Sequence, residues 1–132
     1  MSDTIIHRYF DAFNVGDTNT MIALVSDDVT HHVNQGDTRK GRAAFTEFCS
    51  HMGVSYREQL RDMVIFLSPD GTRAAAEFTV HGEYLQTDPG LPEAHGQRYV
   101  LPAGSFFTID GDKITRITTY YNLQDWTRQV SE

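Results

Sequence analysis

Residues 5–28, IIHRYFDAFNVGDTNTMIALVSDD, decide the architecture of the N-terminal third of the chain. Apolar side chains recur at helical spacing through residues 5–13, and Asp3 or Thr4 is placed to cap the helix start. The NVGD segment at 14–17 ends this helix, because its glycine accepts a left-handed backbone and its aspartate can cap a second helix. That second helix is predicted to be short, to close at Asp27-Asp28 and to bury Met21, Leu24 and Val25.

The sequence predicts a short strand and one more helix before the spacing of apolar residues changes from helical to extended. Residues 29–34 are predicted as a short strand and Gly36-Asp37 as a turn. A third helix is predicted from about residue 42 to residue 52, ending at Gly53, with an apolar stripe formed by Phe45, Phe48, Cys49 and Met52.

Four long strands are predicted in the second half of the chain, at residues 54–67, 72–86, 97–109 and 113–121. The SPDG sequence after the first strand and the DGD sequence after the third are strong turn signals. The segment TDPGLPEAHG at 87–96 reads as a mobile loop, and Pro102 and Gly104 argue for a bulge or an edge position. Asn122 can cap a final helical turn that places Leu123, Trp126 and Val130 on one face.

Helices gathered on one face of an antiparallel sheet make an α+β fold, predicted here as a single domain spanning residues 1–132. The formal net charge of −7 disfavours nucleic-acid binding. No apolar run approaches a membrane span, so no membrane partner is expected. The N-terminus lacks a signal-peptide pattern and Cys49 is the only cysteine, so we expect a cytoplasmic location.

Taken together, these segments resemble ketosteroid isomerases and the wider nuclear-transport-factor-like (polyketide cyclase-like) superfamily. The resemblance rests on residues 7–30, on GRAAFTEF at 41–48 and on FFTIDGDKITRITTYYN at 106–122. It covers most of the chain, with an extra loop at 85–97. The runs DVTHHVNQG (28–36) and YYNLQDW (120–126) look closer to an isomerase-related subgroup of unassigned chemistry. The resemblance implies a cone-shaped, curved antiparallel sheet and three N-terminal helices that enclose one pocket.

Of three polar residues in the isomerase site, this chain has the match for one and lacks the other two, according to the resemblance. Tyr9 occupies the position of the tyrosine that donates a hydrogen bond to the developing oxyanion; alternatively it is a core aromatic whose hydroxyl bonds a neighbour. Val33 stands where the family has its aspartate base, and Gly104 stands where it has a protonated aspartic acid. Steroid isomerisation by the family's mechanism is therefore not expected.

His31 is the candidate replacement for the missing base. Strand alternation places it on the same face as Val33, and a histidine can act as a general base near neutral pH. The alternative is a half-buried histidine that bonds a backbone carbonyl. Asn34 and Gln35, at the exit of the strand, could orient a carbonyl group or a water molecule, whereas His32 should face away from the pocket.

The resemblance also predicts which side chains line the pocket, while Thr79, His81 and Glu83 should face outward. Trp126 closes the mouth or packs against a partner chain, with packing preferred, and Cys49 reads as a small core residue. The predicted lining comprises Phe13, Val33, Phe48, Phe78, Val80, Tyr84, Gly104, Phe106, Thr119, Tyr121 and Trp126.

Three functions are compatible with this pattern. The first is an isomerase-, cyclase- or hydrolase-type enzyme that acts on a hydrophobic, carbonyl-bearing or cyclic small molecule through Tyr9, His31 and Asn34. The second is a non-catalytic binding protein for an apolar metabolite. The third is a protein with a vestigial pocket that works through its exposed sheet face, the face through which the superfamily commonly forms homodimers. No cofactor motif and no metal-ligand spacing are present, so neither a cofactor nor a metal is predicted.

Overall fold

The computed structural model describes residues 4–34 and 36–131. This part of the chain contains four helices and six strands, which confirms the α+β fold. In chain order they are α1 (Ile5–Val15), α2 (Thr18–Leu24), β1 (Val25–Val33), β2 (Arg39–Lys40), α3 (Arg42–Ser55), β3 (Tyr56–Leu67), β4 (Arg73–Tyr84), β5 (Gln97–Asp110), β6 (Lys113–Tyr121) and α4 (Leu123–Val130).

Four predicted helix caps are present, three at helix starts and one at a helix end. Thr4 caps α1, because its hydroxyl accepts a hydrogen bond from the His7 amide; Asp3 lies outside the described residues. Gly16 adopts the left-handed conformation (φ 75°) that ends α1. Asp17 and Asn122 cap α2 and α4 through their side-chain oxygens. These local signals therefore fix the starts of α1, α2 and α4 and the end of α1 as the sequence predicts, whereas α2 ends at Leu24 and not at Asp27-Asp28.

The six strands form one curved, open sheet in the order β2-β1-β6-β5-β4-β3. The sheet is mixed, because β1 runs parallel to β6 while the other neighbours are antiparallel. The four long strands β3–β6 are antiparallel as predicted, and the parallel β1–β6 pair is where the sheet departs from the predicted antiparallel arrangement. The parallel pair arises because α3 and four strands (β2–β5) separate β1 from β6, so β6 returns beside β1 through a long connection.

The start of β1 and the end of α3 differ from the sequence prediction. β1 begins at Val25 and not at residue 29, because Val25 and Val29 are both fully buried against the sheet core. α3 continues two residues past Gly53, which faces open space and costs the helix only about 1 kcal/mol. Pro102 lies where β5 extends beyond its last pair with β6, so the predicted edge position is locally correct.

The core holds α1 firmly against the sheet. The ring of Phe10 packs on Phe78 and Phe107 at centroid distances of 5.5 and 5.6 Å. The side chain of Asn14 bonds both the amide and the carbonyl of Leu60, which fixes the end of α1 on β3. These contacts set where α1 side chains stand relative to β3.

The outer face of the sheet carries an exposed apolar group. Phe66 and Phe106 both pair with Ala75 in the strand register, and the Phe106 and Tyr120 rings lie 6.0 Å apart. We call Phe66, Phe106 and Tyr120 the outer aromatic row; their exposed fractions are 55%, 44% and 52%. No helix within residues 4–34 and 36–131 is long and apolar enough to cross a membrane.

Candidate functional site

A cavity of about 550 Å³ lies between the inner face of the sheet and side chains of α1, α3 and α4. This volume is typical of small-molecule sites. Its wall is mostly apolar, with a few polar groups spaced around it. The sequence-predicted residues that border it are Tyr9, Phe13, His31, Val33, Asn34, Phe48, Phe78, Val80, Thr119, Tyr121 and Trp126.

Three predicted lining residues do not border the cavity. Tyr84 is fully buried behind it. Gly104 and Phe106 belong to the outer face of β5, because the inward positions of that strand are Ala103 and Ser105. The family-based placement is therefore wrong by one residue on this strand. Neither inward neighbour carries an acidic side chain, so the strand still supplies no acid.

Tyr9 stands on α1 with its ring between other core aromatics. Its centroid lies 5.4 Å from that of Phe10 and 5.8 Å from that of Phe107. Burial, reinforced by the nearby Cys49 thiol, raises the pKa of the Tyr9 phenol well above its usual value. Tyr9 is therefore a neutral hydrogen-bond donor at the cavity wall, and its hydroxyl has no protein partner among the described residues.

His31 borders the cavity but is poorly suited to act as a base. Its ring packs edge-on against Phe45 and Phe48, at centroid distances of 5.3 and 4.4 Å. Burial, together with the charges of Arg39 and His32, lowers the pKa of His31 to about 4. Its Nδ1 is buried without a hydrogen-bond partner in the described structure, so it holds no backbone carbonyl there. His31 is therefore a neutral imidazole near pH 7, with little affinity for a proton.

Asn34 joins the end of β1 to β6. The side-chain Oδ1 of Asn34 accepts a hydrogen bond from the backbone N–H of Tyr121 at 2.8 Å. The backbone N–H of Asn34 donates a hydrogen bond to the Thr119 carbonyl. Its backbone is left-handed (φ 52°), a conformation that asparagine tolerates better than most residues. The side-chain NH2 group remains available at the cavity wall; Gln35 lies outside the described residues.

Glu58 is a carboxyl group at the cavity that the sequence prediction missed. It lies on β3, where Tyr56, Glu58 and Leu60 alternate toward the cavity. The Tyr99 hydroxyl donates a hydrogen bond to Glu58 Oε2 at 2.5 Å. Burial raises the pKa of Glu58, and the bond from Tyr99 partly opposes this rise. A carboxyl group with a raised pKa can hold or release a proton closer to neutral pH than an ordinary glutamate.

The Glu58–Tyr99 contact depends on a glycine in the strand between them. Gly82 pairs with Glu58 on one side and with Tyr99 on the other. A Cβ atom at Gly82 would lie 2.3–2.5 Å from three atoms at the hydroxyl end of Tyr99. The missing side chain therefore lets the tyrosine lie across β4 and reach the carboxylate.

A second polar group lies where the 85–96 loop meets the cavity. Asp88 accepts hydrogen bonds from the Tyr56 hydroxyl at 2.7 Å and pairs with His51 Nε2 at 3.1 Å. The Asp88 amide donates to the Tyr84 hydroxyl at 2.9 Å. The loop is therefore attached both to α3 and to the sheet, and its position helps to define the mouth of the cavity.

A second, smaller cavity of about 350 Å³ opens between α1, α2, α3 and β3. It shares six lining residues with the first, so the predicted single pocket has a neighbour on the other side of this shared wall; the shared residues are Tyr9, Phe13, Phe48, Met52, Tyr56 and Glu58. Cys49 borders only the smaller cavity, and burial raises the pKa of its thiol to about 11. The thiol therefore stays protonated at neutral pH.

Among residues 4–34 and 36–131, no three or more His, Cys, Asp or Glu side chains come together in a group that could hold a metal ion.

The sequence and fold match known proteins over most of the chain. Residues 6–117 match the SnoaL-like domain family. A protein from Silicibacter sp. TM1040, for which a polyketide cyclase role has been suggested, is 62% identical over 97% of this chain and 93% of its own, with a TM-score of 0.95. One from Pseudomonas putida KT2440 with the same suggested role is 54% identical over 96% and 95%, with a TM-score of 0.94. No curated protein matches the sequence.

A more distant structure shares the fold alone. The LEH-like epoxide hydrolase of M. tuberculosis is 15% identical, and the match covers 96% of this chain and 86% of the hydrolase with a TM-score of 0.71.

Proposed function

We propose that this chain, which belongs to the SnoaL-like domain family, is an enzyme that moves a proton on an apolar, carbonyl-bearing small molecule. Isomerase and cyclase reactions both begin with such a step. The observation that carries this proposal is the half-buried carboxyl of Glu58, bonded by Tyr99 at the wall of a mostly apolar cavity. The relatives suggested to be polyketide cyclases support the same class of substrate.

Glu58 is the residue that would take the proton from the carbon beside the substrate carbonyl. Its raised pKa brings the carboxylate closer in basicity to the acidic C–H group that it must deprotonate. Tyr9 would donate a hydrogen bond to the enolate oxygen, because its phenol remains neutral in the buried wall. His31 would act as a neutral hydrogen-bonding group beside the substrate, since its pKa of about 4 makes it a weak base.

The test is hydrogen–deuterium exchange next to a carbonyl, which requires no knowledge of the natural product. Cyclohexanone and 2-tetralone are incubated with the protein in D2O, and loss of the α-proton signals is followed by NMR. We expect exchange above the buffer rate. Glu58→Gln should lower it by about 100-fold or more, which is typical for loss of a general base.

Further variants separate the roles of the individual groups. Tyr9→Phe and His31→Ala should each reduce exchange, and Glu77→Gln on the outer side of β4 is the matched control that should leave it unchanged. Exchange at the buffer rate for both ketones, or full activity in Glu58→Gln, would contradict the proposal.

A binding protein without catalysis is the second candidate. It is favoured by the lowered pKa of His31, because the base predicted from the sequence is then almost inactive. In that case apolar ligands should raise the melting temperature of the protein equally in the wild type and in Glu58→Gln, and no exchange should occur.

We further infer that two copies associate through the outer face of the sheet. The outer aromatic row exposes large apolar area there, and burying it in a symmetric contact would be favourable. Light scattering should give a dimer, and Phe106→Glu should yield a monomer. A monomeric wild type would exclude this assembly.

The cytoplasmic location expected from the sequence stays a prediction.

A further inference from the structure

One end of the main cavity carries a positive charge that nothing in the described structure neutralises. Arg39 borders the cavity, and its Nη1 is buried without a hydrogen-bond partner. The ion pairs found among residues 4–34 and 36–131 involve other arginines and one histidine. Buried polar atoms in proteins are nearly always bonded, so an orphaned guanidinium nitrogen beside a cavity suggests a partner that arrives with a ligand.

The strand pairing explains why this arginine faces the cavity. β2 pairs antiparallel with β1, and Arg39 lies directly opposite His31. Directly paired residues point to the same side of a sheet, and His31 borders the cavity. The Arg39 guanidinium carbon lies 4.6 Å from the centre of the Phe48 ring, which also packs on His31. We call Arg39, His31 and Phe48 the cationic end.

Neither neighbour can balance the charge. The aromatic face of Phe48 attracts a cation but carries no net charge. The His31 imidazole is neutral near pH 7, and the charge of Arg39 is one of the reasons that its pKa is lowered. The acidic Glu58 borders the same cavity but forms no ion pair with Arg39. Asp88, the other carboxylate that borders the cavity, pairs with His51 and not with Arg39.

We propose that the cationic end binds a carboxylate carried by the substrate, with Arg39 as its direct partner. A guanidinium presents paired N–H donors that match the two oxygens of a carboxylate. Asn34 offers a second donor, because its Oδ1 is occupied by the Tyr121 amide while its NH2 group is free of protein partners in the described residues. Because the cavity is mostly apolar and supplies one guanidinium, a singly charged carboxylate fits better than a doubly charged phosphate.

This proposal deepens the proposed function, because it makes the substrate a carbonyl-bearing carboxylic acid. The carboxylate would sit at the cationic end, and the reacting carbonyl would lie toward Glu58 and Tyr9. The position of the charge would then orient the apolar body of the molecule in the cavity.

Trp126 gives a direct way to measure the charge preference. It is the only tryptophan of the chain and borders the cavity, so its fluorescence reports binding there. Cyclohexylacetate and 4-cyclohexylbutyrate are titrated at pH 7.5, each against its neutral primary amide. We expect each acid to bind at least tenfold more tightly than its amide.

Variants of the arginine test the assignment. Arg39→Gln should abolish the preference for the acid while the amide still binds, which also shows that the variant is folded. Arg39→Lys should keep part of the preference, and Arg73→Gln at the exposed start of β4 should keep all of it. In the wild type, the bound acid should also raise the pKa of His31, measured by NMR, because its charge opposes that of Arg39.

Three results would overturn the carboxylate site: equal binding of acid and amide, an unchanged preference in Arg39→Gln, or no binding of either acid at millimolar concentration. The acid-to-amide ratio does not depend on turnover. An intact ratio together with absent deuterium exchange would therefore reject the proposed function alone, and the reverse pattern would reject this site alone.

Discussion

The hydroxyl of Tyr99 lies 2.5 Å from Oε2 of Glu58, although a complete strand runs between the two residues. The tyrosine crosses β4 at Gly82, the one position of that strand without a side chain. The carboxyl is therefore held by a group two strands away. A glycine that would otherwise weaken the strand gives this contact its space.

Gly82→Ala should break this arrangement. The new Cβ would overlap the Tyr99 ring, which is buried and packed on Trp126, so the ring cannot move aside freely. We expect the free energy of unfolding to fall by about 1–3 kcal/mol, the usual cost of overpacking. Urea denaturation measures this change.

Gly53→Ala is the matched control for that substitution. A Cβ at Gly53 meets no atom within 4 Å, and the residue lies inside helix α3. Alanine should therefore stabilise the protein by about 0.5–1 kcal/mol. Equal stability of Gly82→Ala and wild type, with the Tyr99–Glu58 contact intact in a crystal structure, would refute the role given to Gly82.

Tyr99→Phe should raise the pKa of Glu58 further. Burial raises this pKa, and the hydrogen bond from Tyr99 is the influence that lowers it, since the bond favours the charged carboxylate. Removing the Tyr99 hydroxyl takes away the influence that lowers the pKa of Glu58, so burial raises that pKa further. Infrared titration of the protonated carboxyl band, assigned by its loss in Glu58→Gln, follows the change.

Tyr120→Phe, in the outer aromatic row, should leave that titration unchanged. A lower pKa of Glu58 in Tyr99→Phe would mean that the hydrogen bond does not favour the carboxylate.

Because His31 is buried with a lowered pKa, we expect the free energy of unfolding to fall in acid. His31 has a pKa of about 4 in the folded protein and an ordinary value of 6.5. Below pH 6.5 the unfolded chain therefore binds a proton that the folded protein does not, and stability falls until the pH reaches about 4. The full effect of this one group is on the order of 3 kcal/mol.

His31→Gln should remove that part of the pH dependence. Free energies of unfolding are compared between pH 7 and pH 4, with His95→Gln in the exposed loop as the control. Parallel curves for wild type and His31→Gln would show that His31 titrates normally in the folded protein.

The strand alternation shows how much of the site the sequence can predict. His31 and Val33 share a face because every second residue of β1 points inward, whereas Tyr9 was placed in the site by the resemblance to the isomerases, with helical spacing giving only its apolar helix face. Glu58 was missed because it stands in the polar run YREQLRD, which resembles a solvent-exposed strand. Alternation with Tyr56 and Leu60 was the available signal. Its contact with Tyr99 depends on sheet register, which local pattern does not encode.

The errors have physical causes as well. Gly104 and Phe106 were assigned to the cavity through a family position that is one residue out of phase, and a one-residue shift reverses the face of every side chain in a strand. Arg39 was missed because β2 has only two residues in a polar segment. Its orientation comes entirely from pairing with His31.

Asp88 provides a last prediction, about access to the cavity. It connects the 85–96 loop to Tyr56 on β3 and to His51 on α3. Asp88→Ala removes both contacts, and because a hydrogen bond to a partly accessible carboxylate contributes modestly, we expect the loop to open about tenfold more often. Hydrogen exchange of the Leu91 amide, which bonds the Asp88 carbonyl at 3.0 Å, reports this opening.

The control for the loop is Asp112→Ala in the β5–β6 turn, which is exposed and distant in sequence from residues 85–96. It should leave exchange at Leu91 unchanged. If the mouth widens as expected, cyclohexylacetate should dissociate faster from Asp88→Ala than from wild type, as followed by Trp126 fluorescence. Unchanged exchange and unchanged dissociation would mean that the loop is held by its remaining backbone bonds, including that from the Gly96 amide to the Tyr84 carbonyl at 2.9 Å, and that Asp88 does not control entry.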